Sequence, residues 1–221
     1  MPRLGPPGAG EPYTPLPRVL LVLVGGIALV EAVLSLADIG VIGDPSLRGN
    51  AYRYGAFWVA LLHGYAPLYA GQPVVMFLTH SVLHGNLLHM VMNMTILLAL
   101  GRFVGDRYGS AAIWQLFLAG AVGGGAAFGL LSTTPAPMVG ASGAVFAFLA
   151  AWIVWDWVRH RAAGVSVGPV LRRVAALVAI NVVLWIGLSG GLAWEAHLGG
   201  FLAGLPIAIW HERRVARSRW R

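Results

Sequence analysis

The chain has 221 residues, 58% of them hydrophobic and only 10% charged, with a mean hydropathy of +0.75. A soluble domain carries about 25% charged residues, so a water-soluble globule is excluded and one bilayer-embedded helical bundle is expected. The net charge is +7 and all 15 basic residues are arginine, but they fall between apolar runs rather than on one face. That pattern points to membrane topology and a negative lipid surface, not to nucleic acid. Cysteine is absent, which excludes a disulfide framework, a thiol nucleophile and a zinc–thiolate site.

Residues 1–18 are rich in Pro and Gly and lack an apolar period, so they read as a flexible N-terminal tail. A first apolar run follows, predicted as a span over about 19–40. Ser35-Leu36-Ala37 resembles a signal-peptide cleavage site, but the run is long for a signal, holds Glu31 and leads into further spans. Residues 43–75 are too polar to cross and too aromatic to float free, with Arg48, Tyr52, Arg53, Tyr54, Phe57 and Trp58. They predict a long first loop with short interfacial helices. Further apolar runs lie at about 76–100, 111–131, 142–157, 173–188 and 194–210, followed by a basic tail over 211–221. Each is near the ~17–25 residues that cross a hydrocarbon core, where the backbone must satisfy itself as helix. The expectation is an all-α polytopic membrane domain over 19–210 with about six transmembrane helices.

Orientation follows from the arginines. With a cytoplasmic amino terminus, Arg3, Arg18, Arg102, Arg107, Arg159, Arg161, Arg172, Arg173, Arg213, Arg214, Arg217, Arg219 and Arg221 lie inside, and only Arg48 and Arg53 outside. Inverting the chain reverses this positive-inside bias, so both termini are predicted cytoplasmic. Small residues then suggest which helices approach closely. Gly120, Gly123, Gly124 and Gly125 lie on the third span, Gly200 and Gly204 on the sixth, and Ala147 and Ala151 offer a matching face on the fourth.

Polar side chains inside spans are costly and therefore functional candidates. They gather at three places: His80, His84, His89 and Asn93 on the second span, Gly140-Ala141-Ser142-Gly143 opening the fourth, and Ala196-His197 opening the sixth. All three spans begin on the outer side, so these residues are expected in one layer just below that surface. A serine needs a positioned base, which His197 supplies if the fourth and sixth helices pack closely. Free amides at the start of a helix favour an oxyanion beside Ser142. His89 and Asn93, at i and i+4, share a face and can donate to the same oxygen. His84, about 140° round a helix from His89, is expected to face a different neighbour.

Blander readings compete with these. A G-x-S-G run is weak alone, and a serine at a helix start is often a cap. His80 and His84 at i, i+4 suit a metal, but no H-E-x-x-H glutamate and no thiolate accompany them.

Together, His84, His89 and Asn93, then Gly140, Ser142 and Gly143, then Ala196, His197, Gly200 and Gly204 resemble the rhomboid intramembrane serine proteases in motif and order, from about residue 19 onward. The resemblance implies a rhomboid-like bundle and a Ser142–His197 dyad without an acidic third member or any cofactor or metal. It further implies an oxyanion hole from the Ser142 N–H, His89 and Asn93, and a structural role for His84. Implied substrates are single-span membrane proteins cut near the outer end of the span. The implied location is a bacterial inner membrane, with the site opening away from the cytoplasm. Two places depart from the family pattern. Val75-Met76 stands where a Trp-Arg pair is common, and Phe146 where many members carry a Tyr that packs on the histidine. A non-proteolytic rhomboid-like protein that binds transmembrane segments is the alternative, and a small transporter with a polar path is a third.

Overall fold

The computed structural model describes residues 15–218, all in helices, turns and loops apart from one isolated antiparallel bridge, Phe57 to Met138. Most of the expected N-terminal tail, with Arg219 and Arg221, lies outside the described residues. The helices are α1 (Arg18–Asp38), α2 (Leu47–Gly55), α3 (Gln72–Thr79), α4 (Leu87–Tyr108), α5 (Ser110–Leu131), α6 (Ser142–Ala162), α7 (Gly168–Gly187) and α8 (Trp194–Ser218). By length and composition, α1, α4, α5, α6 and α7 suffice to cross a membrane. The 25-residue α8 is more polar, because it carries Glu195 and His197 at its start and Glu212, Arg213, Arg214 and Arg217 near its end. Leu130, at 84% exposure, and Val22, at 68%, show an outer surface that suits lipid and not water. The protein is an integral membrane protein.

The apolar run from 76 to 100 is not one helix. It breaks at a 3-10 turn, His80–Val82, and α4 starts only at Leu87. The cause is local: Asn86 is extended, and its side-chain oxygen accepts from His89 N at 2.9 Å, which is an N-cap. His80 therefore sits in the 3-10 turn and His84 in the loop that follows it, before the helix and not on its face. The single residue between α4 and α5 is Gly109, at φ 87°, where a side chain would be strained.

The core of the bundle is α5, α6 and α8, the three helices in most extensive contact. Their glycines set the separation. A Cβ on Gly200 would lie 2.0 Å from Gly143 O, and one on Gly204 2.6 Å from Ala147 Cα. The expected small-residue contact thus forms one turn nearer the start of α6, against Gly143 and Ala147. On α5, Gly120 faces Ala144 and Ala147, Gly123 faces Gly199 and Ala203, and Gly124 faces Ala196 and Gly143. Without a hydrophobic drive between helices in lipid, such backbone-to-backbone packing is the main attraction. By contrast, α7 has one buried residue, Val170, and packs mainly on α6.

The first loop is pinned at several points. Phe57 and Met138 exchange backbone hydrogen bonds of 2.9 and 3.0 Å, and the fully buried Phe57 ring rests on α5 over Gly125 and Gly129. Met76 is fully buried in the same cluster, with Phe128, Met138 and Ala196. An apolar anchor thus occupies the place where the family often has the Trp-Arg pair. Gln72 Nε2 donates to Arg53 O and Thr79 Oγ1 to Gly55 O, closing the loop on α3.

Candidate active site

The segment 138–142 is held by the turn and loop that precede α4. Gly140 N donates to His80 O at 2.9 Å, and Ala141 N donates to His84 Nε2 at 3.3 Å. Gly140 has φ 130°, and a Cβ there would meet His89 Cε1 at 2.8 Å. Both conformation and space therefore require glycine at that position. Ser142 follows as the first residue of α6, half-buried, in the turn whose amides have no acceptor within the helix.

His197 lies in the first turn of α8 and is 8% exposed. Its ring stacks flat on Phe146, with centroids 4.3 Å apart and planes at 10°. Phe146 is one turn along α6 from Ser142, so Ser142 is on the same face of α6 as the ring that touches His197. No hydrogen bond joins Ser142 Oγ to His197 in this structure; apo sites often leave such bonds long. The His197 Nδ1 edge is taken by Asn181 Oδ1 of α7 at 2.5 Å. Glu195, near it in sequence, makes no hydrogen bond or ion pair with it.

His89 is half-buried in the first turn of α4, and its Nδ1 accepts from Gly85 N at 3.4 Å. That assignment leaves Nε2–H, beside Gly140, free to donate. Asn93, 6% exposed, gives one amide hydrogen to His89 O at 2.9 Å and keeps a second. His84 does not face away from His89 as a continuous helix would require. Because the chain leaves the helical path here, with Leu83 and Asn86 extended, the two rings meet edge to face at 5.1 Å. His80 and His84 do not pair either: His80 Nε2 contacts Ala121 O and His84 Nε2 contacts Ala141 N.

Two groups around the site are absent from the sequence reading. One is Asn181, the lone amide in the apolar stretch Val174–Gly187, which the cost of polar groups in spans could have flagged. The other is a polar network under the His84 carbonyl. Arg48 Nη1 donates to His84 O at 2.8 Å, Tyr52 OH donates to the same oxygen at 2.6 Å, and Arg48 binds Glu31 and Asp38. Hydrogen bonding to Glu31 holds the Arg48 guanidinium above its already high range, so it is charged at every working pH.

Comparison with known proteins adds to this geometry. An uncharacterized protein of Mycobacterium tuberculosis is 30% identical over 141 residues, 58% of this chain and 55% of its own length. This chain thus spans little more than half of that relative. Rhomboid-like protein 11, chloroplastic, of Arabidopsis thaliana is 29% identical over 191 residues, 75% of this chain and 66% of its own. The rhomboid protease GlpG of Yersinia pestis is 27% identical over 203 residues, 91% of this chain and 65% of its own. The sequence model of the Rhomboid domain matches residues 71–213, well over half of the chain and all of the elements that carry the site. The chain belongs to the rhomboid family.

Proposed function

We propose that the protein is an intramembrane serine endopeptidase with Ser142 as nucleophile and His197 as base. The observation that carries this reading is the α6–α8 junction. Gly143 and Gly200 bring the two helix starts into backbone contact, and Phe146 holds the His197 ring on the Ser142 face of α6. Ser142 Oγ attacks a peptide carbonyl as His197 Nε2 takes its proton. The oxyanion is met by the Ser142 N–H, His89 Nε2–H and the second Asn93 amide hydrogen. His197 then protonates the leaving amine, and a water deprotonated by His197 hydrolyses the acyl-enzyme.

In this reading α8 is a sixth span despite its polar ends, both termini are cytoplasmic, and the site opens toward the outer face of a bacterial plasma membrane. Single-span membrane proteins, cut near the outer end of the span, are the substrates. The chain's lack of cysteine makes single-cysteine accessibility a direct check on this topology. For the chemistry, the protein in detergent is incubated with a fluorophosphonate probe and with a panel of single-span substrates. Wild type is expected to label and to cleave; Ser142→Ala and His197→Ala are expected to do neither while unfolding normally. Wild type that binds the substrates but neither labels nor cleaves would instead identify a non-proteolytic binding protein.

A further inference from the structure

The His197 ring is fixed on two sides by two different helices. Phe146 of α6 covers its face, but Phe has no hydroxyl, so this contact sets the plane of the ring and not its rotation within the plane. The only hydrogen bond that the described residues make to the ring comes from α7, where Asn181 Oδ1 lies 2.5 Å from Nδ1. The direction of that amide is itself determined. Asn181 Nδ2 donates to Leu177 O at 2.9 Å, one turn back on α7, which turns Oδ1 toward α8. An amide oxygen only accepts, so Nδ1 carries the proton and Nε2 presents its lone pair. That is the tautomer a serine hydroxyl needs.

We propose that Asn181 is a positioning residue for the reaction, holding His197 in the Nδ1–H tautomer with Nε2 toward Ser142. The inference rests on the protease reading of Ser142 and His197. It goes beyond the dyad by giving the base a neutral third partner from a separate helix. The position of Asn181 argues for a role beyond packing. It is the lone amide among the apolar residues from Val174 to Gly187, and it borders a cavity of about 700 Å³ whose other lining includes Phe146, His197, Trp185 and Trp194. An unpaired amide there would cost free energy, and the two hydrogen bonds described satisfy it. Because α7 packs mainly on α6, the bond also makes the orientation of the base depend on α7 lying beside α8.

The groups that face His197 limit what a pH profile can report. They are Phe146 from α6, Asn181 from α7 and, on the proposed reading, Ser142; His89 from α4 is the other titratable side chain close to it. On its own helix, Glu195 makes no bond with it. A carboxylate at position 181 would therefore be the one new charge against the ring.

The test compares wild type, Asn181→Leu, Asn181→Asp and Ser142→Ala in detergent, by cleavage of a single-span substrate and by the rate of fluorophosphonate labelling. Asn181→Leu is expected to lower kcat and the labelling rate together by about tenfold to a hundredfold, with KM changed less than twofold. This is milder than the ~10⁴ loss seen when a triad's third member imposes the wrong tautomer, because leucine imposes none. Asn181→Asp is expected to recover part of kcat and to move the acid limb of kcat/KM upward by about one pH unit, as a carboxylate stabilises the imidazolium. The acid limb of Asn181→Asp also decides the matter should Asn181→Leu fail to fold. A kcat within twofold of wild type for Asn181→Leu, or an unmoved acid limb in Asn181→Asp, would overturn the proposal. Wild type that neither labels nor cleaves would defeat the protease reading instead, so the two failures are distinct.

Discussion

The α5–α6–α8 core and α7 are held by opposite means. In the core, glycines let backbones touch: half of the most apolar stretch of α5 and of α6 is buried inside the protein, against 6% for α7. Among the described residues, the side-chain hydrogen bonds and ion pairs that α7 makes to other helices are at two places. Arg173 pairs with Asp156 of α6 near one end, and Asn181 meets His197 farther along. Helices packed through small residues cannot shift without separating entirely, whereas a helix tied at two polar points can pivot about one when the other opens. On the proposed reading this is a division of labour, in which the core would set the separation of Ser142 and His197 and α7 the rotation of the ring.

The most damaging way to break that division is to push the core apart. Gly200→Val places a side chain where even a Cβ would be 2.0 Å from Gly143 O, so α8 must move away from Ser142. Cleavage and fluorophosphonate labelling are expected to fall to the Ser142→Ala background, with a large drop in thermal stability. Wild-type labelling in this variant would show that the α6–α8 contact does not set the site. Next in size is Arg48→Ala. It leaves Glu31, whose side chain is 1% exposed, without its cation, and removes a donor from His84 O. Breaking a buried pair on one side costs about 3–5 kcal/mol, to be read from thermal unfolding in detergent. The double variant Arg48→Met with Glu31→Met is expected to recover most of that loss.

What was legible in the sequence was what periodicity and small-residue spacing carry. Gly200 and Gly204 announced a close helix contact, and the histidine and serine motifs announced which ends it joins. The break at His80–Val82 was masked by the apolar residues on either side, although Thr79, His80, Ser81, His84, Gly85 and Asn86 interrupt the run and Asn86 caps the helix that follows. The break also places His84 edge to face against His89 instead of turned from it. The partners of His197 and Arg48 were hidden for a different reason. Asn181 is 16 residues from His197, and Arg48 is 36 from His84, separations that no local pattern encodes. Each was still a polar side chain bought at a cost within or beside a span, and asking where its hydrogen bonds go would have raised the question.

A smaller effect comes from loosening α7 at its other tether. Asp156→Asn removes the charge that binds Arg173 and Arg159, while Arg173 is 41% exposed and can be solvated elsewhere. The expected stability loss is about 1 kcal/mol. The sharper readout is hydrogen exchange, which should rise along 168–187 and stay unchanged in α5 and α6. Faster exchange throughout the bundle would mean that α7 is part of the core after all.

The smallest expected effect is at Phe146, and it separates the two controls on His197 most finely. Phe146→Tyr restores the hydroxyl that many relatives carry but leaves the stacked ring in place, so kcat is expected within about twofold of wild type because Asn181 already occupies Nδ1. Phe146→Ala removes a stacking contact of about 1 kcal/mol and should lower kcat about fivefold. Combining Phe146→Tyr with Asn181→Leu then isolates the amide. If the tyrosine hydroxyl recovers the loss caused by Asn181→Leu, the two groups serve one purpose, holding the base in rotation. If the losses simply multiply, ring plane and ring rotation are set independently, by α6 and by α7.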